Sequence, residues 1–185
     1  MRELRVDMFS TVDGYGRGGP QPAPYWGYGA PGLYEWIDAQ LAEDHVMLMG
    51  ATTYREMAEI VAQHDDPTFP RMAELPKIVF SKTLNPPLTW ANTTVVDEPV
   101  ETSVPRLKAL PDGLPMRTIG SPSLVRSLFR LGLVDRVRIM LFPTIHGTAG
   151  EGPVFADLPD MRLSLLGTAV LDDRVVLLDY SVGKD

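Results

Sequence analysis

The chain contains no cysteine. That excludes disulfides, thiolate nucleophiles and cysteine-based zinc sites together, and it leaves the compartment open. Histidine is scarce. His45, His64 and His146 are dispersed, with none four residues from another, so a helical metal-binding pair is excluded. No apolar run reaches the roughly 20 residues needed to span a bilayer. The first residues, MRELRVDMFSTVDG, lack the apolar centre of a signal peptide. The expectation is a cytoplasmic protein that does not engage a membrane. Positive charge is in deficit, with 17 Lys and Arg against 24 Asp and Glu and a net charge of −7. A basic surface for nucleic acid is therefore not expected, although an acidic protein can still hold an anion in a local pocket. Walker A and G-x-S-x-G are both missing, which removes the P-loop fingerprint and the serine-hydrolase elbow.

What remains is a chain of 185 residues, 44% hydrophobic, long enough to bury a proper core as one domain spanning 1–185. Leu4 to Phe9 reads as a first strand, broken by Ser10-Thr11-Val12-Asp13-Gly14. Arg17 to Gly32, RGGPQPAPYWGYGAPG, is too rich in proline and glycine for helix or regular strand. Such an aromatic loop is either a functional lid or a cover for the core edge. Gly32 to Glu43 has helical spacing, with Leu33, Trp36, Ile37 and Leu41 on one face. Val46 to Met49 is a buried strand ending at Gly50, and a helix then runs to about Gln63. His64 to Pro76 is polar and punctuated by proline. Lys77 to Phe80 and Thr93 to Val96 are strands. Thr102 or Ser103 caps a short helix with Pro105 in its first turn.

The stretch Arg117 to Phe155 is the most informative. It reads as a strand from Met116 to Ile119, a glycine turn, a helix from Ser121 to Leu131, a strand from Val137 to Phe142 and a glycine-rich loop. Arg162 to Ala169 and Arg174 to Val182 flank Asp172-Asp173 as a terminal hairpin. Strands alternating with helices, followed by a β-rich end, predict an α/β fold. Its mixed sheet is mainly parallel, with an antiparallel C-terminal edge. The apolar run Val175-Val176-Leu177-Leu178 reads as a dimer surface.

Three strand ends carry small, hydroxylated or cationic residues: Gly50-Ala51-Thr52-Thr53, Ser81-Lys82 and Gly120-Ser121-Pro122-Ser123. Ligands of open α/β sheets bind outside the carboxyl ends of the strands, and helix N-termini favour phosphate. Each turn alone could be only a turn, with Thr52 or Ser121 only a cap; together they suit a phosphate-bearing ligand. Asp13 follows the first strand and precedes the aromatic loop, so it is either a catalytic acid or an Asx turn. His146 lies between two glycine-flanked turns and is a candidate ligand contact.

These residues resemble the dihydrofolate reductase-like superfamily and, more closely, the RibD C-terminal domain family, the reductase half of riboflavin biosynthesis and its stand-alone relatives. The resemblance rests on Ser10-x-x-Asp13-Gly14, Leu48-Met49-Gly50-x-x-Thr53-Tyr54-x-x-Met57, Val79-Phe80-Ser81-Lys82, Ile119-Gly120, Leu131-Gly132-Leu133-Val134-Asp135 and Phe142-Pro143-x-x-x-Gly147-x-x-Gly150. It implies an eight-stranded three-layer fold, NADPH as hydride donor and a homodimer. It also implies a small heterocyclic substrate, pterin- or pyrimidine-like. By that resemblance Gly50, Thr52, Thr53, Ser81, Lys82, Gly120, Ser121, Ser123, Leu124, Pro143 and Gly147 would bind cofactor. Asp13 would orient substrate or relay a proton, while Trp26, Tyr28, Trp36 and His146 would contact substrate. The chain departs from the family pattern twice. Ala51 stands where an arginine is common, and Ser121-Pro122 where Gly-Gly is usual. These departures also fit a non-catalytic ligand-binding protein on the same fold.

Overall fold

The computed structural model describes residues 1–19, 24–63 and 68–183. His64 and residues 20–23 of the aromatic loop lie outside them. Among the described residues, ten strands, numbered in chain order, form two sheets. β1 (Leu4–Thr11), β3 (Val46–Gly50), β4 (Lys77–Phe80), β5 (Thr93–Val96), β6 (Met116–Thr118), β7 (Arg136–Phe142), β9 (Leu163–Leu171) and β10 (Val175–Val182) make an eight-stranded sheet. Its order is β5-β4-β3-β6-β1-β7-β10-β9. The first six run parallel, and β10 pairs antiparallel with both β7 and β9. The predicted mixed sheet and terminal hairpin are both observed. β2 (Tyr15–Gly18) and β8 (Gly150–Pro153) pair separately as a small antiparallel ribbon.

The helices are α1 (Pro31–Ala42), α2 (Ala51–Gln63), α3 (Phe69–Glu74), α4 (Val100–Ala109) and α5 (Pro122–Arg130). One face of the sheet packs Leu4, Val6, Met8, Leu48 and Met116 against Val104 of α4 and Leu124, Val125 and Leu128 of α5. The other face packs Met47, Met49 and Val79 against Leu41 of α1, Tyr54 of α2 and Met72 of α3. A third cluster gathers Leu33, Met140, Phe142, Val175 and Leu177 under the aromatic segment. The alternation of β1 sends Leu4, Val6 and Met8 to one face and Arg5, Asp7 and Phe9 to the other.

Several expectations are corrected. Arg17 and Gly18 belong to β2, because Gly18 pairs with Gly150 rather than starting an irregular loop. A Cβ on Gly18 would lie 2.2 Å from the Ala149 carbonyl, so the ribbon can close only over glycine. α4 begins a turn early, at Val100, which leaves Pro105 inside the helix rather than in its first turn. The proline-punctuated stretch yields a short helix, α3. Val175 and Leu177 are core residues, 1% and 7% exposed, so they cannot form a dimer surface. Within the hairpin, the exposed large apolar residues lie instead on the edge strand β9, at Leu163, Leu165, Leu166 and Val170. Among the described residues, no helix is long and apolar enough to cross a membrane.

Candidate functional site

Two clusters of residues meet at the carboxyl edge of the parallel strands. The first joins β3 to β6. Gly50 ends β3 and α2 starts at the next residue; Gly120 and Ser121 follow β6 and α5 starts at Pro122. The two turns touch. The Gly50 N–H donates to Ser121 Oγ at 2.7 Å, and Ser121 Oγ lies 2.8 Å from Thr53 Oγ1. A Cβ on Gly50 would meet Ser121 Oγ at 2.8 Å, and one on Gly120 would meet Thr53 Cγ2 at 3.1 Å. Gly120 and Ser121 both have positive φ, 61° and 62°. This is the conformation glycine tolerates best, which explains why a second glycine would suit position 121.

This arrangement revises the expected ligand set. The Ser121 hydroxyl and the Gly50 N–H bond to each other rather than pointing outward, and Ser121 makes no side-chain cap for α5. Pro122 has no N–H. What remains for an anion are the first-turn N–H groups of α2 and α5, around Thr52, Thr53, Ser123 and Leu124, which have no partner inside their own helices. The Leu124 side chain is buried among Leu4 and Val125, so only its backbone could serve. Both helix dipoles favour negative charge at this point. Just after β4, Ser81 Oγ accepts the N–H groups of Thr83 and Leu84 at 3.1 and 3.0 Å. That turn presents the exposed Lys82 at the same edge.

The second cluster lies on β1 and β7. Tyr25 stacks on Phe142 at 6.2 Å and 13°, while Trp26 meets Phe142 edge-on at 5.1 Å. Phe9 completes this group. Trp26 Nε1 donates to the Gly18 carbonyl, and Tyr28 donates its hydroxyl to the Pro143 carbonyl at 3.0 Å. The His146 ring packs against Trp26 at 5.7 Å and under Gly19, where a Cβ would come within 2.6 Å. Tyr25 and Trp26 have φ of 60° and 50°, a costly conformation for aromatic residues. Burial of their rings against Phe142 offsets it.

Asp13 is an anchor. Its carboxylate accepts the Thr11 hydroxyl at 2.6 Å, the Gly147 N–H at 2.8 Å and the His146 N–H at 3.1 Å. The Thr11 hydrogen bond, with those from Gly147 and His146, lowers its pKa to about 2. A carboxylate so held stays ionised at neutral pH. It ties the β1 turn to the loop after β7 and is unsuited to giving up a proton.

Trp36 does not join the site. It lies midway along α1, with the Arg138 guanidinium 4.7 Å from its ring centroid and Arg117 at 6.0 Å. Those arginines share the buried Asp7, so the ring is committed to a charged layer in mid-sheet. Three residues that position the site were not among the site residues expected from the sequence. Thr11 holds Asp13. Phe142 is the platform for the aromatic rings. Asp172, in the hairpin turn, accepts the N–H groups of Gly32 and Leu33 at 2.8 Å each and so caps α1. Only the Thr11-x-Asp13 spacing carries a local signal for such a role.

The profile of the RibD C-terminal domain family matches residues 2–177. No curated protein matches the chain by sequence. Among solved structures, a protein assigned to riboflavin biosynthesis in Shewanella sp. PV-4 superposes with a TM-score of 0.74 at 19% identity, covering all of both chains. A pyrimidine reductase-like protein from Corynebacterium diphtheriae gives 0.67 at 18% identity, covering 100% of this chain and 93% of that one. Dihydrofolate reductase from Enterococcus faecalis, solved with NADP(H), gives 0.62 at 14% identity over 98% and 97%. Identities this low speak for the fold alone. The family profile spans both clusters, from Asp13 through Gly50 and Ser121 to Gly147, and by that match the chain belongs to the RibD C-terminal domain family.

Proposed function

We propose that this protein is an NADPH-dependent reductase that delivers a hydride to a C=N or C=O group of a small pyrimidine- or pterin-like heterocycle, acting as a cytoplasmic homodimer. The observation that carries the reading is the side-by-side placement of two helix N-termini, at β3 and β6, and an aromatic nest, at β1 and β7, on one sheet edge. From β4 to β7 there are four interstrand gaps, about 19 Å at ordinary strand spacing. That length suits an extended dinucleotide lying across the edge. The first turns of α2 and α5 would hold the pyrophosphate, and Ser81 and Lys82 the adenosine end. Pro143, Gly147 and His146 would border the nicotinamide, with Trp26 and Tyr28 bordering the substrate. The reduced nicotinamide, when bound, supplies the hydride. The chain's own part is to position both partners, exclude water with the aromatic segment, and keep the β7 loop in place through Asp13.

Two structural relatives support this reading, one a pyrimidine reductase-like protein and the other a dihydrofolate reductase solved with NADP(H). Ala51 supplies no guanidinium for a 2′-phosphate, so a modest preference between NADPH and NADH is expected. The bond between Gly50 and Ser121, with Pro122 beside it, favours a second reading. The fold then binds a nucleotide or small ligand without turnover.

Titration of NADPH and of NADH against tryptophan fluorescence tests the proposal. Quenching with energy transfer to the reduced nicotinamide is expected, because Trp26 borders the site. No response up to about 1 mM, the upper end of ordinary Michaelis constants, overturns the reductase reading. Binding without oxidation of the cofactor in the presence of pyrimidine and pterin acceptors favours the second.

A further inference from the structure

At the opposite edge, where the parallel strands begin, a cleft of about 200 Å³ opens between Glu3, Arg5, Glu43, His45, Arg117 and Arg136. Its floor is cationic. Arg5 and Arg117 are buried, with side chains 10% and 13% exposed. Behind them Arg138 is 5% exposed. The buried carboxylate facing these three guanidiniums is Asp7, which Arg117 and Arg138 already share. Burial alone would raise the Asp7 carboxyl, but Arg117, Arg138 and Arg5 outweigh it and hold it below its ordinary value. The buried layer thus has two positive charges more than it has negative ones.

Compensation at the rim is loose. Glu43 approaches Arg5 at 3.5 Å from a side chain that is 62% exposed, Glu3 is exposed, and Arg136 is bonded to Asp179. Burial lowers His45, so its ring stays neutral and adds no charge. Arg5 Nε and Arg117 Nη1 have no hydrogen-bond partner although both atoms are buried. Orphaned donors on buried cations are rare and costly, and an ion or ordered water is their usual remedy.

We propose that this cleft binds a small phosphate-type oxyanion, held by Arg5 and Arg117 with Arg136 at its mouth. The cavity is smaller than the range typical of drug-sized ligands, so the ligand is the ion itself and not a dinucleotide. Guanidinium forks suit such an oxyanion. The site lies on the edge remote from Gly50 and Ser121, so it is independent of the proposed reductase site.

The experiment is calorimetric and thermal-shift titration of the full chain with inorganic phosphate, against sodium chloride of matched ionic strength. Saturable binding with a rise in Tm beyond the chloride control is expected, weakened at least tenfold in Arg5→Gln. Glu43→Gln removes the competing carboxylate and is expected to tighten phosphate about threefold, in keeping with a partly exposed ion pair. Absence of a phosphate-specific response overturns the proposal. So does undiminished affinity in Arg5→Gln, an outcome that would put the ion at the helix N-termini, where NADPH would compete with it. Should Arg5→Gln fail to fold, unchanged affinity in Glu43→Gln overturns it instead.

Discussion

Ser121 sets two effects against each other, and two substitutions separate them. Its φ of 62° costs a non-glycine residue about 1 kcal/mol. Against that, its hydroxyl accepts the Gly50 N–H at 2.7 Å and lies 2.8 Å from Thr53 Oγ1. Each such bond contributes about 1 kcal/mol net. Ser121→Ala loses both bonds and keeps the strain, so it should cost about 2 kcal/mol. Ser121→Gly loses both bonds but relieves the strain, so it should cost about 1 kcal/mol. In a chain of this length a difference of about 1 kcal/mol separates the two Tm values by roughly 2–4 °C, with glycine the higher. Urea unfolding of the three proteins measures it. The glycine variant also frees the Gly50 N–H to face a phosphate, so under the reductase reading it should bind NADPH more tightly than wild type. An alanine variant as stable as the glycine variant, or more so, would refute the assignment of backbone strain at this turn.

Lys77 is 1% exposed, its ammonium held by the carbonyls of Met72, Ala73 and Leu75, and burial lowers its pKa from 10.5 to about 8. Because the folded value is the lower, the fold gains stability as pH rises from about 8 towards 10.5, on the order of 3 kcal/mol in all; Lys77→Met should flatten that part of the urea-derived stability profile, and an unchanged slope would count against it. Asp172→Ala removes both acceptors at the start of α1 and should cost about 1–2 kcal/mol by chemical denaturation, whereas Asp172→Asn, which tolerates the φ of 50° and keeps one acceptor, should cost less. Equal losses in the two would argue that the cap is idle. Under the dimer reading, Leu165→Lys on the exposed edge strand should give a monomer in sedimentation velocity where wild type sediments as a dimer. A monomeric wild type would end that proposal.

The fold was legible because its elements obey local rules. β3 is a continuous apolar run, as a strand covered on both faces must be. α5 places Leu124, Val125 and Leu128 on its buried side. Asp172-Asp173 turns the hairpin with positive φ at both residues, a conformation Asp accepts. The departures came where pairing depends on distant chain. Nothing local to Tyr15–Gly18 announces a strand, because its partner lies at Gly150–Pro153 and both sides are rich in glycine. Pro105 pointed to a first helical turn, but packing of Val104 and the Ser103 bond to the Pro99 carbonyl extend the helix backwards past it.

The candidate site was legible by strand end and not by side-chain direction. Gly50, Thr53, Gly120 and Ser121 do meet, because glycine turns after adjacent parallel strands must share one edge. Their hydrogen bonds could not be read, since whether Ser121 caps its own helix or bonds across to Gly50 depends on a φ of 62° that residue identity does not signal. Trp36 fails for a related reason. Helical periodicity correctly turns it towards the sheet, but which strand residues lie beneath it is a matter of register. That register puts Arg138 and Arg117 below the ring. Asp7 and Arg138 are paired across β1 and β7 in the middle of the sheet. A charged pair in the middle of a covered sheet is costly unless its hydrogen bonds are met. It therefore constrains the placement of α1 through Gln40 and Trp36, while Asp172 constrains the same helix at its N-terminus. The aromatic segment leads directly into α1's first turn, so its position is set from two directions by residues outside the candidate site.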